Sequence, residues 1–132
     1  MKYVVDTHAL IWFLAGDARL GKAAEAVLSD PESELILPAT ALAEVCWIVE
    51  RRAAGLTAVE ALAAIDSDPR IAIYPLDREV VERSIALTVI GEMHDRQIVA
   101  TATLLMVSSQ DVALLSRDEN ITASKLVPIV WD

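Results

Sequence analysis

Four acids stand where the pattern of the chain puts chemistry: Asp6, Glu44, Asp95 and Asp118. Asp6 directly follows Tyr3-Val4-Val5, an apolar, β-prone run that reads as a short buried strand. Thr7-His8 then lead into an apolar-rich helix from about Ala9. Asp118 follows a second such run over 112–115, after Ser116-Arg117. In parallel α/β sheets, ligands sit outside the carboxyl ends of the strands. If the two strands are neighbours, both carboxylates project at one edge of the sheet. The plainer reading of either acid alone is a turn residue or a cap.

Glu44 and Asp95 are placed by helical spacing. Three and four positions from Glu44 lie Ala41, Thr40, Trp47 and Ile48, a mostly apolar set. Glu44 therefore borders a buried stripe, unlike Glu50, Arg51 and Arg52 at a solvated helix end. A carboxylate there needs a partner, and a metal ion or an arginine would each serve. Asp95 opens a helix, with Ile98 and Val99 on its side. It reads as an N-cap, or as a metal ligand on the inward side of the first turn. Arg96 next to it is placed to pair with an acid or to contact a phosphate. Carboxylates gathered this closely raise one another's pKa unless a cation holds them. Oxygen ligands in this number suit Mg²⁺ or Mn²⁺.

The elements that must position these acids alternate. Strands are expected over 3–5, 35–37, 71–74, 112–115 and 127–131. Between them come helices over 22–28, 40–52, 58–65, 78–89 and 95–106, with a short helical turn over 121–124. Turns are expected at 17–21 and 108–111, a loop at 30–33, a helix stop at Gly55 and caps at Thr57 and Asp77. Such alternation indicates a parallel sheet covered on both faces. No repeat, linker or low-complexity tract interrupts it.

Composition sets the bounds. One domain's length, 132 residues with 55% hydrophobic content, excludes a disordered chain even at a net charge of −9. Asp6 breaks the opening apolar run, so no signal-peptide core is expected there. The apolar run over 98–107 is too short to span a membrane. One cysteine, Cys46, forms no internal disulfide, fits a reducing cytoplasm and is expected to pack as a small core residue. The acidic balance, 20 Asp and Glu against 11 Lys and Arg, argues against a broad basic nucleic-acid surface. It leaves room for a nuclease whose metal ions meet the phosphate, and it invites a basic partner.

Tyr3-Val4-Val5-Asp6-Thr7-His8-Ala9-Leu10-Ile11-Trp12 resembles the opening of PIN-domain nucleases, in particular the bacterial VapC-type toxins. Ala41-Leu42-Ala43-Glu44-Val45 resembles their helix-borne glutamate. The stretches His94-Asp95-Arg96-Gln97-Ile98-Val99-Ala100-Thr101-Ala102 and Leu114-Leu115-Ser116-Arg117-Asp118-Glu119-Asn120-Ile121 resemble the third and fourth acidic motifs. Leu126-Val127-Pro128-Ile129-Val130-Trp131 is similar to a common family ending. The resemblance spans essentially the whole chain, so residues 1–132 are expected to form a single PIN-like domain.

The resemblance implies a three-layer α/β/α sandwich with a central parallel sheet. It implies Mg²⁺- or Mn²⁺-dependent cleavage of RNA, with Asp6, Glu44, Asp95 and Asp118 around the metal. Thr7 and Ser116 match hydroxyl positions that orient these acids or a bound water. The family also implies a cognate antitoxin whose tail blocks the site, and commonly homodimers. Two departures stand out. The turn before the fourth strand lacks the usual glycine, and Ser116 replaces a common threonine. Few basic residues are available to guide RNA, and Arg96 and Arg117 are the candidates near the acids.

The rivals fit less well. A receiver domain needs a pair of acids after the first strand, where Thr7-His8 follow Asp6, and a phosphoacceptor Asp ending the third strand, where Pro75-Leu76-Asp77 stand. A haloacid-dehalogenase-type phosphatase needs an Asp where His8 is. A non-catalytic interaction module on the same fold is opposed only by the completeness of the acid set. His8 and His94 read as structural, since an oxygen-rich site does not need them. Trp12, Phe13 and Trp47 read as core. The minor reading gives some of these aromatics to an apolar groove for an antitoxin helix.

Overall fold

Five short parallel strands hydrogen-bond in the order β3-β2-β1-β4-β5. They are β1 (Lys2–Val5), β2 (Glu34–Pro38), β3 (Ile71–Tyr74), β4 (Val112–Leu115) and β5 (Ile129–Val130). The computed structural model describes residues 1–52, 55–109 and 111–132, so the turn expected over 108–111 falls partly outside them, at Gln110. Helices flank the sheet: α1 (Thr7–Ala15), α2 (Lys22–Ser29), α3 (Ala39–Arg51), α4 (Ala58–Asp66), α5 (Arg78–Ile85), α6 (Met93–Ser108) and α7 (Glu119–Ser124). This is the three-layer, parallel-sheet arrangement expected from the alternation. Among the described residues no helix is long and apolar enough to cross a membrane.

The strand order decides where ligands can go. From β1 the chain steps outward through β2 to β3, then crosses back to β4 on the other side of β1. The crevice where the order reverses therefore opens above the carboxyl ends of β1 and β4. Their register pairs Val5 with Leu115, which sets Asp6 and Ser116 side by side. The two strands are apolar throughout their inner ends because they are covered on both faces: Val4, Val5 and all of β4 are buried. Ala9 and Leu10 of α1, Ala41 and Val45 of α3, and Ile98, Val99 and Ala102 of α6 share the same core.

Local chemistry explains the boundaries and several departures from the sequence reading. The first helix starts at Thr7, not Ala9, because the Asp6 carboxylate accepts the Thr7 N–H and caps it at once. It ends at Gly16, whose φ of 64° is a left-handed conformation that glycine adopts without penalty. Thr57 and Glu60 form a reciprocal capping box at α4. The third helix stops at Arg51, before Gly55, since Arg52 already takes extended dihedrals. The fifth stops at Ile85, short of 89: tight turns from Ala86 onward replace helix and deliver Leu87 and Ile90 to the core.

Trp47 corrects an expectation. Trp12 is buried and Phe13 packs partly buried against the core, but Trp47 is 58% exposed. The inward stripe of α3 is Ala41, Val45 and Val49, and Trp47 stands off it with the Arg51 guanidinium over its ring. Cys46, expected in the core, sits half-buried at the margin of that stripe.

Candidate functional site

Six of the seven residues singled out by sequence line one cleft of about 320 Å³: Asp6, Thr7, Glu44, Asp95, Ser116 and Asp118. Each comes from a different local cause. Asp6 ends β1 and caps α1. Ser116 and Asp118 follow β4, and the Asp118 carboxylate accepts the Ile121 N–H to cap α7. Glu44 rides on α3 and Asp95 on the first turn of α6. A 2.7 Å hydrogen bond from the Thr40 hydroxyl to the Gln97 side-chain oxygen ties those two helices together near both acids.

Two hydroxyls connect the carboxylates. The Thr7 N–H donates to Asp6 Oδ1 at 2.7 Å, and its hydroxyl donates to Glu44 Oε1 at 2.8 Å. The Ser116 hydroxyl donates to Asp6 Oδ2 at 2.6 Å and accepts the Asp118 N–H at 3.1 Å. Both oxygens of Asp6 are thereby held in place. His94 Nδ1 lies 3.4 Å from Glu44 Oε2 and equally far from Glu92 Oε1, so this histidine supports the rim of the site.

Electrostatics separates Asp95 from the rest. Its carboxyl is pushed up to about 7, first by burial and then by the charges of Asp118, Asp6, Glu92 and Glu44. The N-cap reading of Asp95 is corrected here: Glu92 caps α6 by accepting the Asp95 N–H at 2.8 Å. Asp95 is thus released from capping and turned to the cleft. Burial also raises Asp6, partly offset by its bonds from Ser116 and Thr7.

Arg96 is not brought to the cluster. Its Nε donates to the Ile90 carbonyl at 2.5 Å, tying the start of α6 to the preceding loop, and it pairs with no acid among the described residues. Asp77, at the end of β3 where a receiver domain would need its phosphoacceptor, caps α5 through the Val80 N–H instead. The cleft has further walls: Trp12, expected in the core, and Trp131, with ring centroids 6.0 Å apart, and over the Trp12 ring Arg117, the other arginine expected near the acids. Arg117 was legible from its place between Ser116 and Asp118. Nothing in local periodicity placed the last tryptophan beside the first.

The donor set fits a hard divalent cation in kind: carboxylate and hydroxyl oxygens, with one carboxyl pushed up to about 7 by burial and then by its charged neighbours. Among the described residues no three such side chains are gathered closely enough to hold an ion as they stand.

A family model described as the PIN domain matches residues 3–125. No curated protein sequence matches the chain. Solved structures share the fold at low identity. VapBC2 from Rickettsia felis, bound to a DNA fragment from its promoter, aligns with a TM-score of 0.70 at 13% identity, over 100% of both chains. VapC20 of Mycobacterium tuberculosis, a sarcin-ricin loop cleaving toxin, aligns at 0.69 and 18% identity, over 98% of this chain and 99% of that one. FitAcB from Neisseria gonorrhoeae aligns at 0.63 and 19%, over 96% and 95%.

Proposed function

The chain belongs to the PIN-domain family, and from that premise we propose that it is a Mg²⁺- or Mn²⁺-dependent endoribonuclease, the toxin of a toxin–antitoxin pair. Residues 1–132 act as one PIN-like domain. The observation that carries the reading is convergence: four carboxylates from four separate elements line one cleft at the switch point of a parallel sheet. A fold needs no such gathering, and it costs the protein like-charge repulsion.

Asp6 is the central ligand, with Asp95 and Asp118 beside it and Glu44 contributing directly or through a water. When bound, the cation supplies a water of lowered pKa and neutralises charge on the phosphate oxygens. Thr7 and Ser116 keep the Asp6 oxygens from rotating, so that one ligand is held in place while the other carboxylates would have to draw in around the ion. Asp95 would hold a cation only in its deprotonated form, which would couple occupancy to pH. Homodimers and an antitoxin encoded alongside complete the proposal.

The test is cleavage of a mixed RNA pool by the purified chain with Mn²⁺ or Mg²⁺. Cleavage is expected, lost with EDTA and in Asp6→Asn. A folded chain that neither cleaves RNA nor binds Mn²⁺ overturns the reading and leaves the interaction module.

A further inference from the structure

We propose that Arg117 grips the phosphate of the nucleotide beside the acid cluster, and that Trp131 stacks that nucleotide's base, which makes the substrate single-stranded here. The inference deepens the ribonuclease reading and rests on it.

A polyanion entering this cleft meets four carboxylates. Arg117 is the only lysine or arginine lining it among the described residues. It is exposed, and among the described residues it forms no ion pair. Arg19, which also lies over Trp12, at 4.8 Å, is engaged by Asp17 at 2.8 Å. The guanidinium carbon of Arg117 sits 5.0 Å from the centre of the Trp12 ring. Stacking on an indole orients a guanidinium while leaving its N–H donors free for a phosphate. Trp12 itself is 7% exposed and fixed, so the arginine is mounted on a rigid base.

A second cleft of about 880 Å³ continues from the first through Ser116, Arg117 and Trp131, which line both. Its walls include Ala23, Ala123 and Ile129. Apolar walls beside a half-buried indole suit a base, which offers a π-face whatever its identity. Trp131 packs edge-on against Trp12 at 63°, which fixes its plane. Glu119 and Asp132 on the same cleft are exposed acids, so Arg117 is also the only cation a phosphate finds there among the described residues. A base paired in a duplex would have to break its pair and leave its stack to lie on Trp131, a cost that a single strand does not carry.

The experiment measures binding of a short labelled single-stranded RNA across a KCl titration, in an Asp6→Asn background so that the RNA survives. Arg117→Ala is expected to weaken binding by about 10- to 100-fold and to lower the slope of log affinity against log salt by about 0.7, one phosphate's worth for a single strand. Arg117→Lys keeps the slope. Trp131→Ala weakens single-strand binding about tenfold with the slope unchanged, and leaves duplex RNA binding unaltered. An unchanged affinity and slope in Arg117→Ala overturns the proposal, as does an equal effect of Trp131→Ala on duplex and single strand, or no RNA binding by the parent. Cleavage by the otherwise native chain with both variants binding normally overturns this inference alone. The expected binding signatures in a chain that cleaves no RNA with Mn²⁺ overturn the nuclease reading and leave the subsite standing.

Discussion

Asp95→Asn is expected to stabilise the metal-free protein while destroying its hold on a cation. The Asp95 carboxyl rises from an ordinary 3.8 to about 7, which is worth about 4 kcal/mol at 1.36 kcal/mol per factor of ten. Water reaches the half-buried side chain, and screening reduces the figure to about 1–2 kcal/mol. The sign follows from proton counting. Between pH 3.8 and about 7 the folded chain holds a proton that the unfolded chain has released, so stability falls as pH rises through that window. Asparagine removes the charge and with it the fall. An unfolding entropy of about 2.1 cal/mol/K per residue converts 1–2 kcal/mol into a Tm gain of about 4–7 °C for this chain length. Thermal unfolding in EDTA should show the two proteins close at about pH 5 and separated by that gain near pH 8. With excess Mn²⁺ the order reverses, because ligand binding raises the Tm of the parent far more than that of the variant. An Asp95→Asn protein that melts below the parent in EDTA at pH 8, or a gap that does not change with pH, would refute the electrostatic account.

Ser116→Ala leaves one oxygen of the buried Asp6 without its 2.6 Å bond, costing about 1–3 kcal/mol in chemical denaturation and weakening Mn²⁺ binding; Ser116→Thr restores both. Gly21→Ala drives a Cβ to 2.1 Å from the Trp131 carbonyl oxygen, which also accepts the Ala24 N–H. The C-terminal segment must shift, at about 1–3 kcal/mol, read as a lowered Tm. Trp12→Ala loses about 3–5 kcal/mol, whereas Trp47→Ala, at an exposed position, stays within about 1 kcal/mol by urea unfolding.

The central strand β4 was legible in the sequence because a strand buried on both faces writes itself as a continuous apolar run; the edge strand β3 carries an apolar run too, although its residues are half-buried or exposed. The strand order was not legible: which strand neighbours β1 depends on contacts between residues more than a hundred positions apart, such as Ser116 with Asp6. Helix starts were misread where one side chain serves as cap and site residue together, as at Asp6. Trp47 was misread because residue type outweighed phase. An α3 stripe running through Ala41, Val45 and Val49 leaves position 47 facing out, and an aromatic's hydrophobicity does not alter helical geometry. That these four acids could share a cleft was legible, since their positions at strand ends and stripe borders are local facts. Which acid would be electrostatically frustrated was not local.

Asp95 is the acid left without a compensating donor, and for a structural reason. Asp6 caps α1, Asp118 caps α7, and Glu44 accepts a hydroxyl from Thr7. Each of these carboxylates has at least one hydrogen-bond donor, although burial still raises Asp6. Asp95 stands in a first helical turn, where a carboxylate would ordinarily find backbone N–H groups, but Glu92 has taken the capping bond. What remains for Asp95 is burial and four like-charged neighbours. A protein selected only for stability would put asparagine or serine there. Retaining an aspartate whose charge is opposed from every side makes sense where a cation arrives to accept it. The same reasoning predicts that Glu92→Ala, which removes one of the four opposing charges, lowers the Asp95 carboxyl below about 7 while burial and the remaining acids keep it above 3.8. The shift would be read by NMR titration of a side-chain-labelled sample in EDTA. A carboxyl that keeps titrating near 7 in Glu92→Ala would mean that Glu92 contributes nothing to the shift, and that burial with the charges of Asp118, Asp6 and Glu44 holds Asp95.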